Sequence, residues 1–252
     1  MRTVTLGNTN ITVNKNGFGA LPIQRSSTED AVKLLRKAYD NGINFYDTAR
    51  AYTDSEVKIG QAFEGMRDKI FLASKTMAED AEGFWEDLET TLTNLKTTYL
   101  DIYQFHNPAV CPKPGQGNGL YEAMQEAKRQ GKIRFIGITN HRIAVAEEAI
   151  ESGLYDTLQF PFSYLSSERE LALAEKCKEA GMGLIAMKAL SGGLITCVPA
   201  IYAFMAQYEN VLPIWGIQRE RELDEFLECQ ENEPELTEEM KAVIEKDQKE
   251  LM

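Results

Sequence analysis

The segment "STEDAVKLLRKAYDNGINFYDT", residues 27–48, contains the two patterns that decide the fold, an amphipathic helix followed directly by a short buried strand. Ser27 or Thr28 can cap the start of this helix, and Gly42 can end it. The second part is a run of β-branched and aromatic residues, which favours a strand. The apolar side chains of the first part share one face at helical spacing: Ala31, Leu34, Leu35 and Ala38.

The same alternation continues along the chain. A second helix is predicted over residues 166–181, with Ser167 as its cap and Gly181 as its end. Short apolar runs that alternate with longer charged, amphipathic stretches are typical of βαβ units. There are eight such runs: "NGFGAL" (16–21), "INFYDT" (43–48), "IFLAS" (70–74), "LDIYQFH" (100–106), "IRFIGIT" (133–139), "TLQFPFS" (157–163), "GLIAMKAL" (183–190) and "LPIWGI" (212–217).

Eight strands, each followed by a helix, predict an α/β protein with a closed (β/α)8 barrel, the TIM barrel. The stretch "TVTLGNTNITV" (3–13) predicts an N-terminal hairpin that covers the bottom of the barrel. A doubly wound open sheet is the alternative, and the even spacing of the units favours closure. No low-complexity linker divides the chain, so residues 1–252 are predicted to form a single domain. Its barrel covers about 16–227, and an acidic C-terminal helix covers about 235–250.

Composition excludes several classes of function. The chain is 43% hydrophobic and 26% charged, which predicts a folded protein with a large core. Its 27 basic and 39 acidic residues give a net charge of -12, so neither nucleic acid nor an anionic membrane is expected as a partner. The N-terminus lacks the apolar stretch of a signal peptide, and no run approaches membrane-spanning length. A cytoplasmic protein is expected.

The four cysteines are far apart and form no C-x-x-C pair: Cys111, Cys177, Cys197 and Cys229. Neither a metal site nor a disulfide framework is therefore expected.

Candidate catalytic residues stand at the ends of successive strands. Asp47 ends the second strand, Tyr52 follows in its loop, Lys75 follows the third strand and His106 ends the fourth. Barrels of this class place their chemistry where the carboxyl ends of the strands meet. Tyrosine is a poor acid near neutral pH because its unperturbed pKa is about 10, but a neighbouring ammonium stabilises the phenolate. Lys75 could do this if Asp47 holds it, and His106 could orient a carbonyl or share the proton.

Each of these residues also has a plain structural interpretation. Asp47 is a normal turn former, Tyr52 could pack on the surface, and Lys75 is one of many lysines. His106 could be a satisfied histidine at a strand end. Their occurrence at three successive strand ends favours a shared site.

Four segments carry a specific resemblance to a known family: "GINFYDTARAYTDSEVKIG" (42–60), "LASKT" (72–76), "YLDIYQFHNP" (99–108) and "GKIRFIGITN" (131–140). In order and spacing they resemble the aldo-keto reductases, over about residues 5–227. The resemblance implies that Tyr52 is the proton donor, that Asp47 and Lys75 tune it, and that His106 positions the substrate carbonyl. It thus implies an NAD(P)H-dependent oxidoreductase that reduces an aldehyde or ketone to an alcohol.

The resemblance also implies NADPH, or NADH, lying extended across the barrel mouth, with chemistry that belongs to the cofactor. Thr139, Asn140 and Gln159 match positions that hold the carboxamide, and Met187 stands where an aromatic residue often stacks on the nicotinamide. The matching positions along the rest of the cofactor are Gly19, Ala20, Asp47, Lys188, Leu190, Gly192, Gly193, Gly216, Ile217, Gln218, Glu222 and Glu225.

The last strand departs from the family pattern. In "WGIQRERELDEFL" (215–227), Gly216 stands where a lysine is common and Glu222 where an arginine often contacts the 2′-phosphate. Arg219 and Arg221 are near enough to substitute, or they are solvated helix charges. A glutamate beside a 2′-phosphate is unfavourable because like charges repel. The preference between NADP and NAD therefore stays open.

Two other functions are compatible with the sequence. One is a nucleotide-binding barrel with weak catalysis that acts as a redox sensor or partner-binding subunit, since a fold does not guarantee turnover. The other is a lyase or aldolase that uses Lys75 as a Schiff-base nucleophile, which requires a lysine free of carboxylate pairing.

Residues 107–120 are predicted to form a wall of the substrate pocket. Cys111 in this segment is either a reactive thiol or an incidental one. The sequence specifies neither the carbonyl substrate nor the oligomeric state.

The end of the chain carries a second resemblance. The helix "LTEEMKAVIEKDQKEL" (236–251) resembles a segment that, in one bacterial and archaeal branch of the family, precedes a ferredoxin-like module with clustered cysteines. The sequence contains no such cluster, so no iron–sulfur centre is expected in it. The alternatives are a naturally short form and a chain that lacks a C-terminal module.

Overall fold

The computed structural model describes residues 2–251, and its centre is a closed barrel of eight parallel strands. A two-stranded antiparallel hairpin, β1 (Thr3–Thr5) and β2 (Thr12–Asn14), precedes the barrel. The barrel strands are β3 (Gly17–Gly19), β4 (Phe45–Asp47), β5 (Phe71–Thr76), β6 (Leu100–His106), β7 (Ile133–Thr139), β8 (Thr157–Pro161), β9 (Gly183–Met187) and β10 (Val211–Gly216). Each strand pairs with its neighbours in chain order, and β10 pairs with β3. The predicted barrel and hairpin are confirmed, and the open sheet is excluded.

The described residues form ten α-helices, most of them between the strands and around the barrel. They are α1 (Thr28–Asp40), α2 (Ser55–Ala62), α3 (Ala81–Asn94), α4 (Leu120–Arg129), α5 (Ile143–Ser152), α6 (Glu168–Leu171), α7 (Leu173–Glu179), α8 (Val198–Ala206), α9 (Glu220–Glu231) and α10 (Glu238–Leu251). The helix predicted over 166–181 is divided at Ala172, whose ψ of -16° is closer to 3₁₀ than to α geometry. None of the helices in residues 2–251 combines the length and apolar character needed to cross a bilayer.

Helix α1 shows why the sequence folds as it does. The Ser27 side chain accepts a hydrogen bond from the Asp30 amide and satisfies a donor at the helix start. Gly42 follows the helix with a φ of +89°, a conformation that side chains with a Cβ rarely adopt. The predicted cap and stop are therefore confirmed, and the predicted apolar face is buried: Ala31, Leu34, Leu35 and Ala38.

Two apolar clusters form the core. The larger one fills the space between the strands and the helices. The smaller one lies inside the barrel and continues into the hairpin, which closes the N-terminal end. Its buried members are Val4, Leu6, Ile11, Val13, Phe45, Ala73, Ile102, Ile185, Leu212 and Ile214. Because apolar residues close this end, the polar side chains of the barrel interior lie towards the opposite mouth.

A buried carboxylate fastens the N-terminal end of the barrel. Asp101, 1% exposed, accepts hydrogen bonds of 2.7 Å from both Arg67 and Arg134 and one of 2.9 Å from the Leu72 amide. Arg134 also donates to Asn10 of the hairpin at 2.8 Å. Asp101 thus links β5, β6 and β7, and through Arg134 it links them to the hairpin.

We expect Asp101→Asn to destabilise the fold, because the amide can accept from fewer of these three donors. The expected loss in free energy of unfolding is about 2–3 kcal/mol, since both arginines keep some contact with water. Urea denaturation measures this loss. Glu64→Gln is the control, because it changes an exposed glutamate that pairs with Lys96. A midpoint equal to that of the wild type would contradict this role.

Candidate active site

The barrel brings the four predicted catalytic residues to its C-terminal mouth. Asp47 is the last residue of β4, Lys75 is the penultimate residue of β5, and His106 is the last residue of β6. Tyr52 lies in the loop between β4 and α2. The order of the strands in the barrel makes β4, β5 and β6 direct neighbours, so these side chains share one sector of the mouth.

A buried ion pair lies at the centre of this sector. The Lys75 ammonium donates to Asp47 Oδ1 at 2.6 Å and to the Thr48 carbonyl at 2.7 Å. The side chains of Lys75 and Asp47 are only 1% and 2% exposed. Two amides complete the arrangement, because Gln104 and Gln159 each donate to the Asp47 carboxylate at 3.3 Å. Each charge is therefore paired and hydrogen-bonded, as burial requires.

The electrostatics keep the lysine charged. Burial by itself lowers the pKa of Lys75, but attraction to Asp47 and then to Tyr52 outweighs burial and raises the pKa above its usual 10.5. Burial also raises the pKa of Asp47 above its usual 3.8, against the opposing attraction of Lys75 and the two glutamines. Lys75 is consequently an ammonium at neutral pH.

Tyr52 and His106 lie beside this pair. The Lys75 nitrogen is 5.0 Å from the centroid of the half-buried Tyr52 ring, and the His106 ring meets Tyr52 edge to face at 5.8 Å between centroids. Burial, with smaller contributions from Lys75 and His141, lowers the pKa of His106 to about 3. His106 is therefore a neutral imidazole at neutral pH.

The predicted carboxamide positions also lie at the mouth. Thr139 and Asn140 follow one another at the end of β7, and Gln159 lies on β8 beside Thr139. Asn140 holds the surrounding loops: its Nδ2 donates to the Pro108 carbonyl, and its Oδ1 accepts from the Arg142 amide, both at 2.9 Å. All three residues are buried.

Three of the predicted cofactor positions, Lys188, Gly192 and Gly193, lie in an open loop after β9. Lys188 follows Met187 with a φ of +54°, is exposed, and lies 3.4 Å from His141 Nδ1. Gly192 and Gly193 have φ values of +72° and +96°, and within residues 2–251 no atom beyond the adjacent residues lies within 4 Å of where a Cβ would stand. The loop therefore offers bare backbone and one cation, which suits a phosphate group.

The segment predicted to lie near the 2′-phosphate, residues 215–227, also presents acidic side chains in the structure. Glu222 caps α9, and its Oε2 accepts from the amides of Gln218 and Arg219 at 2.9 and 3.1 Å. Glu225 is exposed on the same helix. Gly216 ends β10, and Ile217 beside it is buried.

Directly after the first barrel strand, the Ala20 amide donates to the Asp47 carbonyl at 2.8 Å. A Cβ at Gly19 would stand 3.2 Å from the Trp215 carbonyl oxygen, so this glycine allows β3 and β10 to approach closely.

These residues fit a nicotinamide dinucleotide. The Gln104 Oε1 atom is buried and has no hydrogen-bond partner among the described residues, so the polar interior is not fully satisfied by the protein itself. Amide and hydroxyl groups lie near the catalytic residues, and the bare loop with Lys188 lies after β9. The cofactor would thus have a polar site for its carboxamide and a cation for its phosphates.

Sequence reasoning did not single out Gln104, His141 or Glu56. Gln104 lies two residues before His106 on the same strand, and the period-2 alternation of strands could have placed both on the inner face. His141 directly follows Asn140. Glu56, a buried glutamate of α2, gave no such signal, because most of the groups that bond its carboxylate are distant in sequence.

The Cys111 thiol belongs to the packing of the predicted substrate loop. It is fully buried, its Sγ lies 3.6 Å from the Tyr155 hydroxyl, and burial raises its pKa. A buried thiol with a raised pKa is a poor nucleophile, which favours the incidental alternative.

Comparisons with known proteins identify the family of the chain. The model of the family described as "Aldo/keto reductase family" matches residues 15–198. The chain is 29% identical over 210 residues to L-galactose dehydrogenase from Arabidopsis thaliana, covering 76% of this chain and 66% of the relative. It is 26% identical over 226 residues to the NADH-specific methylglyoxal reductase of Escherichia coli (strain K12), covering 78% and 69%. The chain thus spans about two thirds of the length of these relatives.

A solved structure supports the fold independently. The aldo-keto reductase from Klebsiella pneumoniae in complex with NADPH superposes with a TM-score of 0.81 at 23% identity, over 97% of this chain and 94% of the other. The family match, which covers more than half of the chain, shows that the chain belongs to the aldo/keto reductase family of oxidoreductases.

Proposed function

We propose that the protein is an NAD(P)H-dependent reductase that converts an aldehyde or ketone into an alcohol, with Tyr52 as the proton donor. One observation carries the proposal: the Lys75 ammonium, fixed by Asp47 at 2.6 Å, lies 5.0 Å from the centre of the Tyr52 ring. This arrangement supplies a hydroxyl group whose anion would be stabilised by an adjacent fixed charge.

When bound, the nicotinamide supplies a hydride to the carbonyl carbon. Tyr52 gives its hydroxyl proton to the carbonyl oxygen, and the alcohol forms as the O–H bond of the phenol breaks. Lys75 stabilises the resulting phenolate, and Asp47 keeps the ammonium in place. The phenol regains its proton from solvent after the product leaves, since Tyr52 is half-exposed.

His106 is suited to orient the carbonyl as a neutral group. Its Nδ1 is buried and has no hydrogen-bond partner among residues 2–251. An unpaired buried N–H is rarer than an unpaired acceptor, so we expect Nδ1 to lack the proton and Nε2 to carry it. Nε2 can then donate to the carbonyl oxygen beside the Tyr52 hydroxyl.

The Schiff-base alternative is disfavoured by the same geometry. A lysine nucleophile must be a neutral amine, whereas the Lys75 pKa is raised and its ammonium bonds Asp47 and the Thr48 carbonyl. The sensor alternative would be supported by the loss of a catalytic group, and all four groups are present at the mouth.

The loops around the mouth favour a carbonyl compound with an apolar substituent. Several exposed large apolar side chains lie in loops that follow barrel strands. They are Leu21, Met77, Val110 and Leu194. An apolar substituent could cover part of this surface. NADPH and NADH are both compatible with the α9 segment, in which Arg219 and Arg221 would have to offset Glu222 near a 2′-phosphate.

Replacing the proposed proton donor tests the reaction directly. We expect Tyr52→Phe to lower kcat for carbonyl reduction by about a hundredfold or more, because phenylalanine has no hydroxyl proton to give to the carbonyl oxygen. NADPH affinity, measured by fluorescence titration, should stay at the wild-type value. Tyr39→Phe, on α1 and outside the mouth, is the matched control. Turnover by Tyr52→Phe at the rate of the control would remove Tyr52 from this role.

Replacing the loop cation tests the cofactor site. We expect Lys188→Ala to weaken NADPH binding by about tenfold or more, the effect of losing one charge-assisted hydrogen bond to a phosphate. Lys69→Ala removes another exposed lysine, paired with Asp68 before β5 at the N-terminal end of the barrel, and should leave binding unchanged. Equal dissociation constants for the two variants would show that Lys188 does not contact the cofactor.

A further inference from the structure

We propose that Glu56 is a positioning residue that fixes the Tyr52 loop, residues 48–56, against the barrel wall. Its effect on catalysis rests on the function proposed above, whereas its effect on the loop does not. The observation that suggests it is a carboxylate with 0% exposure on α2, four residues after Tyr52.

Four donors surround the Glu56 carboxylate. Ser74 and Thr91 each donate a hydroxyl to Oε1 at 2.8 Å. Asn94 donates its amide to Oε2 at 3.1 Å, and Arg50 donates to the same oxygen at 3.3 Å. Both oxygens are thus satisfied by groups from three elements, the Tyr52 loop, β5 and α3.

Two of these partners connect Glu56 to the catalytic groups. Ser74 directly precedes Lys75, and the alternation of the strand turns Ser74 outward to Glu56 while Lys75 turns inward to Asp47. Arg50 lies two residues before Tyr52, and its amide donates to the Lys75 carbonyl at 3.1 Å. Glu56 therefore fastens the loop to the strand that carries Lys75.

Other contacts close the loop and join its backbone to β5, so Glu56 adds the link from the loop to α3 and to the Ser74 side chain. Thr48 and Ser55 share a hydrogen bond of 2.9 Å, and Ser55 also donates to the Ala20 carbonyl at 2.9 Å. These bonds close the loop and tie it to the first barrel strand. Among the described side chains of the loop, Glu56 is the one that hydrogen-bonds to α3, and it also bonds the Ser74 side chain of β5.

The four donors around residue 56 require a carboxylate rather than an amide at this position. Burying a carboxylate is unfavourable, and its one cationic partner, Arg50, is itself 32% exposed. A glutamine of the same shape would present an N–H₂ group to the Asn94 and Arg50 donors and would lose at least one of the four bonds. Glu56→Gln should therefore release the loop with little change in side-chain volume.

The experiment compares Glu56→Gln with Asp101→Asn. Both variants remove a buried carboxylate that receives several donors, but Asp101 lies at the opposite end of the barrel. For each variant, amide hydrogen exchange is followed in residues 48–56, together with NADPH affinity and the kcat for carbonyl reduction below the unfolding transition. Asp101→Asn thus controls for loss of global stability.

For Glu56→Gln we expect exchange in residues 48–56 to accelerate and kcat to fall by about a hundredfold, as expected for a displaced catalytic group. NADPH affinity should not change. Asp101→Asn should leave the exchange of this segment and kcat at the wild-type values. Unaltered exchange in Glu56→Gln, or equal changes in both variants, would overturn the proposal. A wild-type protein that reduces no carbonyl would remove the proposed function, while the exchange data would still decide whether Glu56 fixes the loop.

Discussion

The contact between Lys75 and Asp47 is the interaction on which the rest of the site depends. Two opposite charges, almost fully removed from water, are stable only when each is paired and hydrogen-bonded, and here the Thr48 carbonyl and two glutamine amides complete the set. Removing one partner of such a pair leaves an uncompensated charge in the barrel interior. The closed barrel makes the pair possible, because it places β4 and β5 side by side and shields the inner face from solvent. The ammonium is thereby held near the Tyr52 ring.

The two ends of the barrel have different tasks. At the N-terminal end, an apolar hairpin and the Asp101 cluster close the interior and serve stability. At the C-terminal mouth, the interior becomes polar and contains unsatisfied groups, including Gln104 Oε1 and His106 Nδ1. Unsatisfied buried groups are costly, so the presence of these two at the mouth agrees with a ligand-binding role there. The proposed proton donor lies on a loop, whereas the groups that tune it lie on strands, and this difference makes the fastening of the loop important.

Much of the fold was accessible from the sequence, because its local signals agree with the final structure. Periodicity located the strands and helices, and Ser27 and Gly42 marked the ends of α1. The catalytic candidates could be predicted too, since parallel strands bring their carboxyl ends together.

The division of the helix at Ala172 could not be predicted, because periodicity continues across it. The surroundings of Glu56 were not accessible either, since Thr91 and Asn94 are distant in the chain and only the packing of α3 on α2 brings them near. The capping role of Glu222 depends on backbone geometry that the pattern does not contain.

The most direct test of the central claim follows the hydride itself. The protein is incubated with NADPH or NADH that carries deuterium at the transferable position of the nicotinamide, together with an apolar aromatic aldehyde. The alcohol product is then analysed by mass spectrometry and proton NMR. We predict one deuterium on the carbinol carbon, with loss of the reduced cofactor in equal amount. Saturable cofactor binding without deuterium in any product, across a panel of aldehydes and ketones, would contradict the reductase assignment and favour a nucleotide-binding barrel without turnover.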